Sequence, residues 1–305
     1  MRSAIVRTCA SLAREGVDLH FLTADLGFKV LDPFREPFPE RFTNAGVAES
    51  NMISVAAGLA MTGKRPICYS MVPFLFFRAF EHVRLDVVAP RLPVVLVGVG
   101  GGLSYGHEGM SHHAIEDVAI ARSLPGLTVL CPGDPVEAEA ALRYAMQLDG
   151  PSFIRLGQNN DPVLHQEAPA DIRLPLPIRR GRGEVVVFAL GHMLATVTEA
   201  AASLQEQGVS VDVFSLPCVK PFPVESVRQL TTKAKVVVTV EEHSVIGGLG
   251  TAMLEALHGS SYSGRFVKIG LPDEYCTTHG TPKWLRTHYG IGAADIAARI
   301  KELAS

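Results

Sequence analysis

The sequence predicts an α/β protein of two units, each a mainly parallel sheet flanked by helices. Three observations carry that expectation. Short apolar runs that read as strands alternate with stretches of helical period along nearly the whole chain. Some of the runs, Pro93–Val99 and Val185–Leu190 among them, are apolar without a break, the pattern of strands covered on both faces. The alternation is interrupted once, at 157–182, where Pro162, Pro169, Pro175 and Pro177 fall without a sustained period. A length of 305 residues suits two domains of ordinary size.

The elements follow in order. Residues 2–15 read as an amphipathic helix, and Asp18–Thr23 as a short strand that ends near Asp25. Residues 26–42 contain Pro33, Pro37 and Pro39 with no regular period, so a loop is expected. Asn44 and Gly46 are turn formers. After them Met52, Val55, Ala56, Leu59 and Ala60 recur at helical spacing and Gly63 is a natural stop, which places a helix from Glu49 onward. Strand Ile67–Met71, a helix over 74–88, strand Pro93–Val99, strand Thr128–Cys131, helix Pro135–Leu148 and strand Ser152–Leu156 complete the first unit. The second unit reads as strand Glu184–Leu190, helix 193–207, strand Val209–Ser215, helix Val224–Leu230 and strand Lys235–Val240. Helix 248–258, strand Arg265–Ile269 and helices near 282–288 and 293–303 finish it. The boundaries expected are 1–160 for the first domain, 161–182 for a linker and 183–305 for the second domain.

Composition excludes several classes. Hydrophobic residues are 47% and charged residues 19%, enough for a substantial core. Net charge is −3 with no basic tail, so neither nucleic acid nor an acidic membrane is an expected partner. The cysteines, Cys9, Cys68, Cys131, Cys218 and Cys276, are odd in number and never paired as C-x-x-C, which argues for free thiols and against a structural zinc site. The first twenty residues hold no signal-peptide core, and the apolar runs are too short to span a bilayer. A cytoplasmic location is expected.

The stretch Phe42-Thr-Asn-Ala-Gly-Val-Ala-Glu49-Ser-Asn-Met52, continued by Ala56-Ala-Gly-Leu-Ala60 and Gly63-Lys-Arg-Pro66, resembles the pyrimidine-binding domain of the thiamine-diphosphate enzymes of the transketolase family. Taken alone, a glutamate in a first helical turn serves the dipole or the cap. The resemblance implies more. Glu49 matches the residue that hydrogen-bonds N1′ of the cofactor's aminopyrimidine, favouring the imino tautomer that acts as internal base on the thiazolium carbon. An apolar pocket there would help it hold a proton near neutral pH. The second unit resembles the C-terminal domain of the same family through Gly191-His192, Lys220-Pro221 and Glu241-Glu242-His243 followed by Gly247-Gly-Leu-Gly250.

The glycine-rich stretch Val97–His113 follows a strand, but Leu103 stands where a dinucleotide fingerprint needs its third glycine. It resembles the family loop that ends in G-x-[TS]-H-H/Q. On that basis His112 is expected to contact the donor ketose and take part in catalysis, and His113 and Glu108 to contact substrate. Asp25, at the end of the first strand, and Gln158, beyond Ser152–Leu156, complete the expected substrate contacts.

Three departures from the family stand out. Val72 and Leu75 occupy positions where family members carry phenylalanines, so either Phe74 or Phe76 swings onto the pyrimidine or an aliphatic wall replaces the stack. Phe74, Leu75 and Arg78 are the expected cofactor contacts beside Glu49. Gly157-Gln158-Asn159 stands where transketolases carry a sugar-phosphate arginine, with Arg155 one candidate replacement. Gly100 stands where some transketolases have a further histidine.

The G-D-G…N string that holds Mg²⁺ and the diphosphate has no match; Pro132-Gly133-Asp134-Pro135 is the nearest wording. The resemblance therefore implies the C-terminal-half subunit of a split transketolase, with no metal ligands of its own. The expected partner is an N-terminal-half subunit that binds the diphosphate and Mg²⁺, in an α2β2 assembly acting on sugars. Alternatives are the β-subunit of a 2-oxo-acid dehydrogenase, a deoxyxylulose-phosphate-synthase-like enzyme, or a non-catalytic partner of the same fold.

Overall fold

A computed structural model describes residues 1–157 and 161–304. The first unit opens with α1 (Arg2–Arg14), β1 (Leu19–Thr23), the short α2 (Asp32–Arg35), a 3₁₀ turn at Pro39–Arg41, β2 (Phe42–Asn44) and α3 (Glu49–Met61). It continues with β3 (Arg65–Met71), a segment over 73–88 that includes α4 (Phe80–His82), β4 (Val95–Val99), α5 (Asp117–Ser123), β5 (Thr128–Leu130), α6 (Pro135–Ala145) and β6 (Ser152–Leu156). The second comprises β7 (Leu176–Arg179), β8 (Val185–Ala189), α7 (Met193–Glu206), β9 (Asp212–Ser215), β10 (Cys218–Lys220) and α8 (Val224–Thr231). It ends with β11 (Val236–Ser244), α9 (Leu249–Leu257), β12 (Arg265–Leu271), α10 (Pro282–His288) and α11 (Ala293–Ala304).

The strands form two sheets, ordered β10-β5-β6-β4-β3-β1-β2 and β12-β11-β8-β9-β7. Each is parallel except for one antiparallel edge strand, β10 against β5 and β7 against β9. The expected α/β architecture is therefore present, with local differences. β2 lies at the end of the stretch expected to be loop, as a three-residue edge strand beside β1. β7 lies inside the proline-containing break. Most notable is β10: after β9 the chain leaves the second sheet and pairs Cys218 and Lys220 with Leu130 and Val129 of the first. Strands this short have no period to read.

The helix expected over 74–88 is instead two π-helical turns, Pro73–Arg78 and Val83–Val88, separated by α4. Such wide turns are frequent at functional sites because they re-aim side chains without ending the helix. In α3 the buried face is Met52, Ile53, Ala56, Ala57 and Ala60, while Val55, expected on the apolar stripe, points outward.

One apolar cluster runs from Met52, Leu75 and Phe76 through Phe153 to Phe188, Phe214 and Val237, so the two units share a core. Asp134 caps α6 through the Glu137 amide at 2.8 Å and also accepts the Leu164 and His165 amides at 2.8 Å, tying the segment after residue 161 to the first unit. With Glu137 and His165 it forms the one group among the described residues whose ligand atoms lie close enough for a cation. Its oxygens are already taken by three N–H donors at a helix N-terminus, where the dipole opposes a cation, so it is a cap and latch. Among the described residues no helix is long and apolar enough to cross a membrane.

Candidate active site

Strands β1, β2, β3, β4 and β6 run in one direction, so their carboxyl ends share one edge. Asp25 follows β1, Glu49 follows β2, Phe74 and Arg78 follow β3, and the His112 loop follows β4. Ligands of parallel sheets bind at such an edge. Gln158, expected after β6, lies outside the described residues.

Glu49 opens α3 and is 2% exposed. Ser70 Oγ donates to its Oε1 at 3.3 Å, and Arg78 Nη1 donates to its Oε2 at 3.0 Å. The expected apolar pocket is thus not what surrounds this carboxylate; a hydroxyl and a guanidinium do. The Arg78 side chain is itself 50% exposed. Its guanidinium carbon lies 4.5 Å from the centre of the Phe74 ring, whose edge in turn meets the His112 ring at 5.1 Å. The wide turn at Pro73–Arg78 thereby lines up Glu49, Arg78, Phe74 and His112.

Leu75 is a correction. It is fully buried in the shared core, as are Val72 and Phe76, and Phe76 packs at 4.8 Å on Phe153. Neither Leu75 nor Phe76 can meet a ligand, and Phe74 is the aromatic of this segment that stands beside Glu49's partner. Arg155 is a second correction. It too is fully buried, donating to Asp117 at 2.7 Å and to the Ala114 and Glu242 carbonyls at 3.0 Å. It is committed internally and cannot serve as a sugar-phosphate arginine.

The histidine loop is closed at its base by two hydrogen bonds between Gly102 and Ala114, 2.7 and 3.0 Å. Within it His112 is half-buried with Nδ1 3.0 Å from Ser111 Oγ. His113 is buried, neither ring nitrogen has a partner among the described residues, and burial lowers its pKa, which keeps the ring neutral. Glu108 is exposed. Asp25, also exposed, is held in left-handed backbone geometry at φ 53° by reciprocal bonds with Asn44, its amide donating at 2.9 Å and its Oδ1 accepting at 3.0 Å.

Sequence reading misses Ser70, and it misses the cluster around Glu242. Glu242 Oε1 accepts from Arg286 Nε at 2.6 Å, while Oε2 lies 2.5 Å from His192 Nε2 and accepts the Leu103 amide at 3.1 Å. Burial alone would raise this carboxyl, but Arg286 and His192 more than offset that and hold it well below the usual range. The Glu241-Glu242-His243 wording is visible in the sequence; its partners, far off along the chain, are not.

Comparisons with known proteins place the chain among relatives. The family model "Transketolase, pyrimidine binding domain" matches residues 1–162, and "Transketolase, C-terminal domain" matches 176–296. One of the two subunits of the apulose-4-phosphate transketolase of Actinobacillus succinogenes is 31% identical over 299 residues, covering 97% of this chain and 96% of its own. A putative transketolase C-terminal section of Methanocaldococcus jannaschii is 33% identical, covering 99% and 95%. The 1-deoxy-D-xylulose-5-phosphate synthase of Chlorobium luteolum is 36% identical over 279 residues, 89% of this chain but 43% of that enzyme. Among solved structures, a split-gene transketolase in an inactive β4 tetramer superposes with a TM-score of 0.90 at 34% identity, covering 99% of this chain and 97% of that one.

Proposed function

The chain belongs to the transketolase family, and on that premise we propose that it is the C-terminal-half subunit of a split transketolase. The assembly would transfer a two-carbon ketol unit from a ketose to an aldose with thiamine diphosphate. The observation that carries this reading is Glu49: a carboxylate 2% exposed, at the carboxyl edge of a parallel sheet, with a half-exposed arginine as one partner.

The residues present fit the pyrimidine end of the cofactor. Thiamine diphosphate, when bound, supplies the nucleophilic carbon and electron sink that cleavage next to a ketose carbonyl requires. Glu49 and Ser70 would hold its ring nitrogen and Phe74 would lie beside the ring. In the chain alone Arg78 compensates the Glu49 charge; because it is half in solvent it can withdraw at little cost. Oε2 would then hold the proton shared with the ring. His112, neutral His113, Glu108 and Asp25 would bind sugar hydroxyls and orient the carbonyl, with Gln158 as a further contact. A neutral imidazole both donates and accepts, which suits a polyol.

For Mg²⁺ and the diphosphate the sequence offers no matching string, so these fall to a partner subunit. Support for a covering partner comes from Phe28 (79% exposed), Val47 (72%) and Met110 (52%), large apolar side chains in loops that follow β1, β2 and β4. The split-gene relative supports the same arrangement, expected as α2β2, in the cytoplasm.

The test is reconstitution. The chain with thiamine diphosphate and Mg²⁺ should give no ketol transfer; adding a partner that carries the diphosphate domain should start it. Turnover by the chain alone, or full activity of the Glu49→Gln assembly, would refute the reading. A second reading, condensation after pyruvate decarboxylation, draws on the identity to the deoxyxylulose-phosphate synthase and is separated by supplying pyruvate in place of ketose.

A further inference from the structure

The second unit contributes none of the residues assigned to cofactor or sugar, yet it holds the histidine loop at its root and at its crown. At the root, Glu242 on β11 accepts the Leu103 amide at 3.1 Å, and the Glu242 carbonyl and the Ala114 carbonyl accept from one nitrogen of Arg155 at 3.0 Å each. Leu103 and Ala114 are the first and last residues of the loop that the Gly102–Ala114 bridge closes. Gly102, at φ 66°, lies so close to the Glu242 carboxylate that a Cβ would collide with it. At the crown, the Gly280 amide donates to the Gly106 carbonyl at 3.1 Å, and the His279 ring sits where a Cβ on Gly109 would be, 2.5 Å from its nearest carbon.

We propose that Glu242 is a positioning residue for the substrate histidines, and that the C-terminal unit serves the reaction by clamping the His112–His113 loop. The physical logic is that of a ligand held from behind. His113 has no hydrogen-bond partner among the described residues to fix its ring, and His112 has only the neighbouring Ser111 hydroxyl and the Phe74 and Tyr105 edges. Their orientation therefore depends on the backbone that carries them. That backbone is anchored by a carboxylate which is itself fixed on both oxygens, by Arg286 on one side and His192 on the other. A support shell of this kind keeps reacting groups within the small tolerances that catalysis needs. The assignment rests on the reading of His112 as a sugar contact; the clamp itself does not.

Two measurements separate these layers. The first is hydrogen–deuterium exchange of the full chain without partner, cofactor or sugar. Glu242→Gln keeps the shape of the side chain and removes its charge. Exchange across 103–113 should rise about tenfold, a loss of about 1.4 kcal/mol of local protection, while β3 and β4 stay protected. Unchanged exchange across 103–113 in the folded variant overturns the clamp. Should Glu242→Gln not fold, Arg286→Gln loosens the same carboxylate from its outer side and is read against the same two outcomes. The second is steady-state kinetics of the reconstituted assembly. Glu242→Gln should lower kcat/KM for the ketose about tenfold and leave the thiamine diphosphate concentration for half-activation unchanged. A parallel loss on the cofactor axis would mark general disorder and overturn the positioning role. An assembly with no ketol transfer in the wild type would instead count against the proposed function and leave the exchange result standing.

Discussion

Glu49 and Glu242 are both buried carboxylates beside an arginine, 3.0 Å in one case and 2.6 Å in the other, yet the two pairs behave as different kinds of object. Glu242 has no exposed surface, and both of its oxygens are bonded to groups held by other elements. The neighbouring pair Asp117–Arg155 is buried more deeply still, at 0% and 1% side-chain exposure. Glu49 has a long serine contact and one arginine that is half in water. A carboxylate whose partners are all internal is a joint. A carboxylate whose charged partner can leave for solvent is open to a better donor. The difference lies in where the arginine stands, since the acids themselves are almost equally buried.

The strongest way to break this contrast is at the joint. Arg155→Met leaves Asp117 and two carbonyls buried without their donor, and about 3–5 kcal/mol of stability should be lost by urea unfolding. A cost under about 1 kcal/mol would mean the seam is not the lock described. At the open pair the loss should be catalytic. Glu49→Gln in the reconstituted assembly should lower ketol transfer at least ~100-fold, with thermal unfolding of the chain nearly unchanged. Arg78→Ala should cost about 1 kcal/mol or less, because a guanidinium half in solvent is replaced by water. A larger loss would make Glu49–Arg78 a second joint.

The smallest effect is in pH, and it sets two adjacent residues against each other. Burial pushes the Glu241 carboxyl up to about 7, opposed by the Gly250 and Leu249 amides it accepts. Between its ordinary value of 4.5 and about 7 the folded chain holds a proton that the unfolded chain has released, so its contribution to stability falls as pH rises through that window. Glu242 has the opposite sign: its contribution is complete above the ordinary carboxylate value and is lost only as pH falls through its depressed one. Melting temperature measured from pH 4.5 to 7 should therefore decline less steeply in Glu241→Gln, and an unaltered slope would show that another buried acid, Glu137 above all, governs the decline.

Much of the molecule is readable from the chain, for physical reasons that differ by element. The long parallel strands and α3 are visible because an apolar run or a helical period needs only neighbours in sequence. Glu49 stands out because the wording around it is long. β2 and β10 are hidden by having three residues each, and the wide turns at 73–88 by a side-chain period that does not separate them from an α-helix. Arg155 passes for a sugar-phosphate candidate in the sequence because its partners lie 38, 41 and 87 residues away and meet it only when the two sheets pack. Leu75 is misplaced by the sequence because which face of 73–78 looks inward depends on that same wide turn.

The excursion of β10 has a bearing on how the chain can be handled. A gene fragment stopped near residue 175 would encode every residue of the row from Glu49 to His112, yet its product would show β5 with a bare backbone edge. Unpaired strands of that sort recruit one another in solution, so the fragment should be recovered as aggregate. Swapping the second half between relatives to alter sugar choice would meet the same obstacle unless residues 218–220 travelled with the half they are paired to.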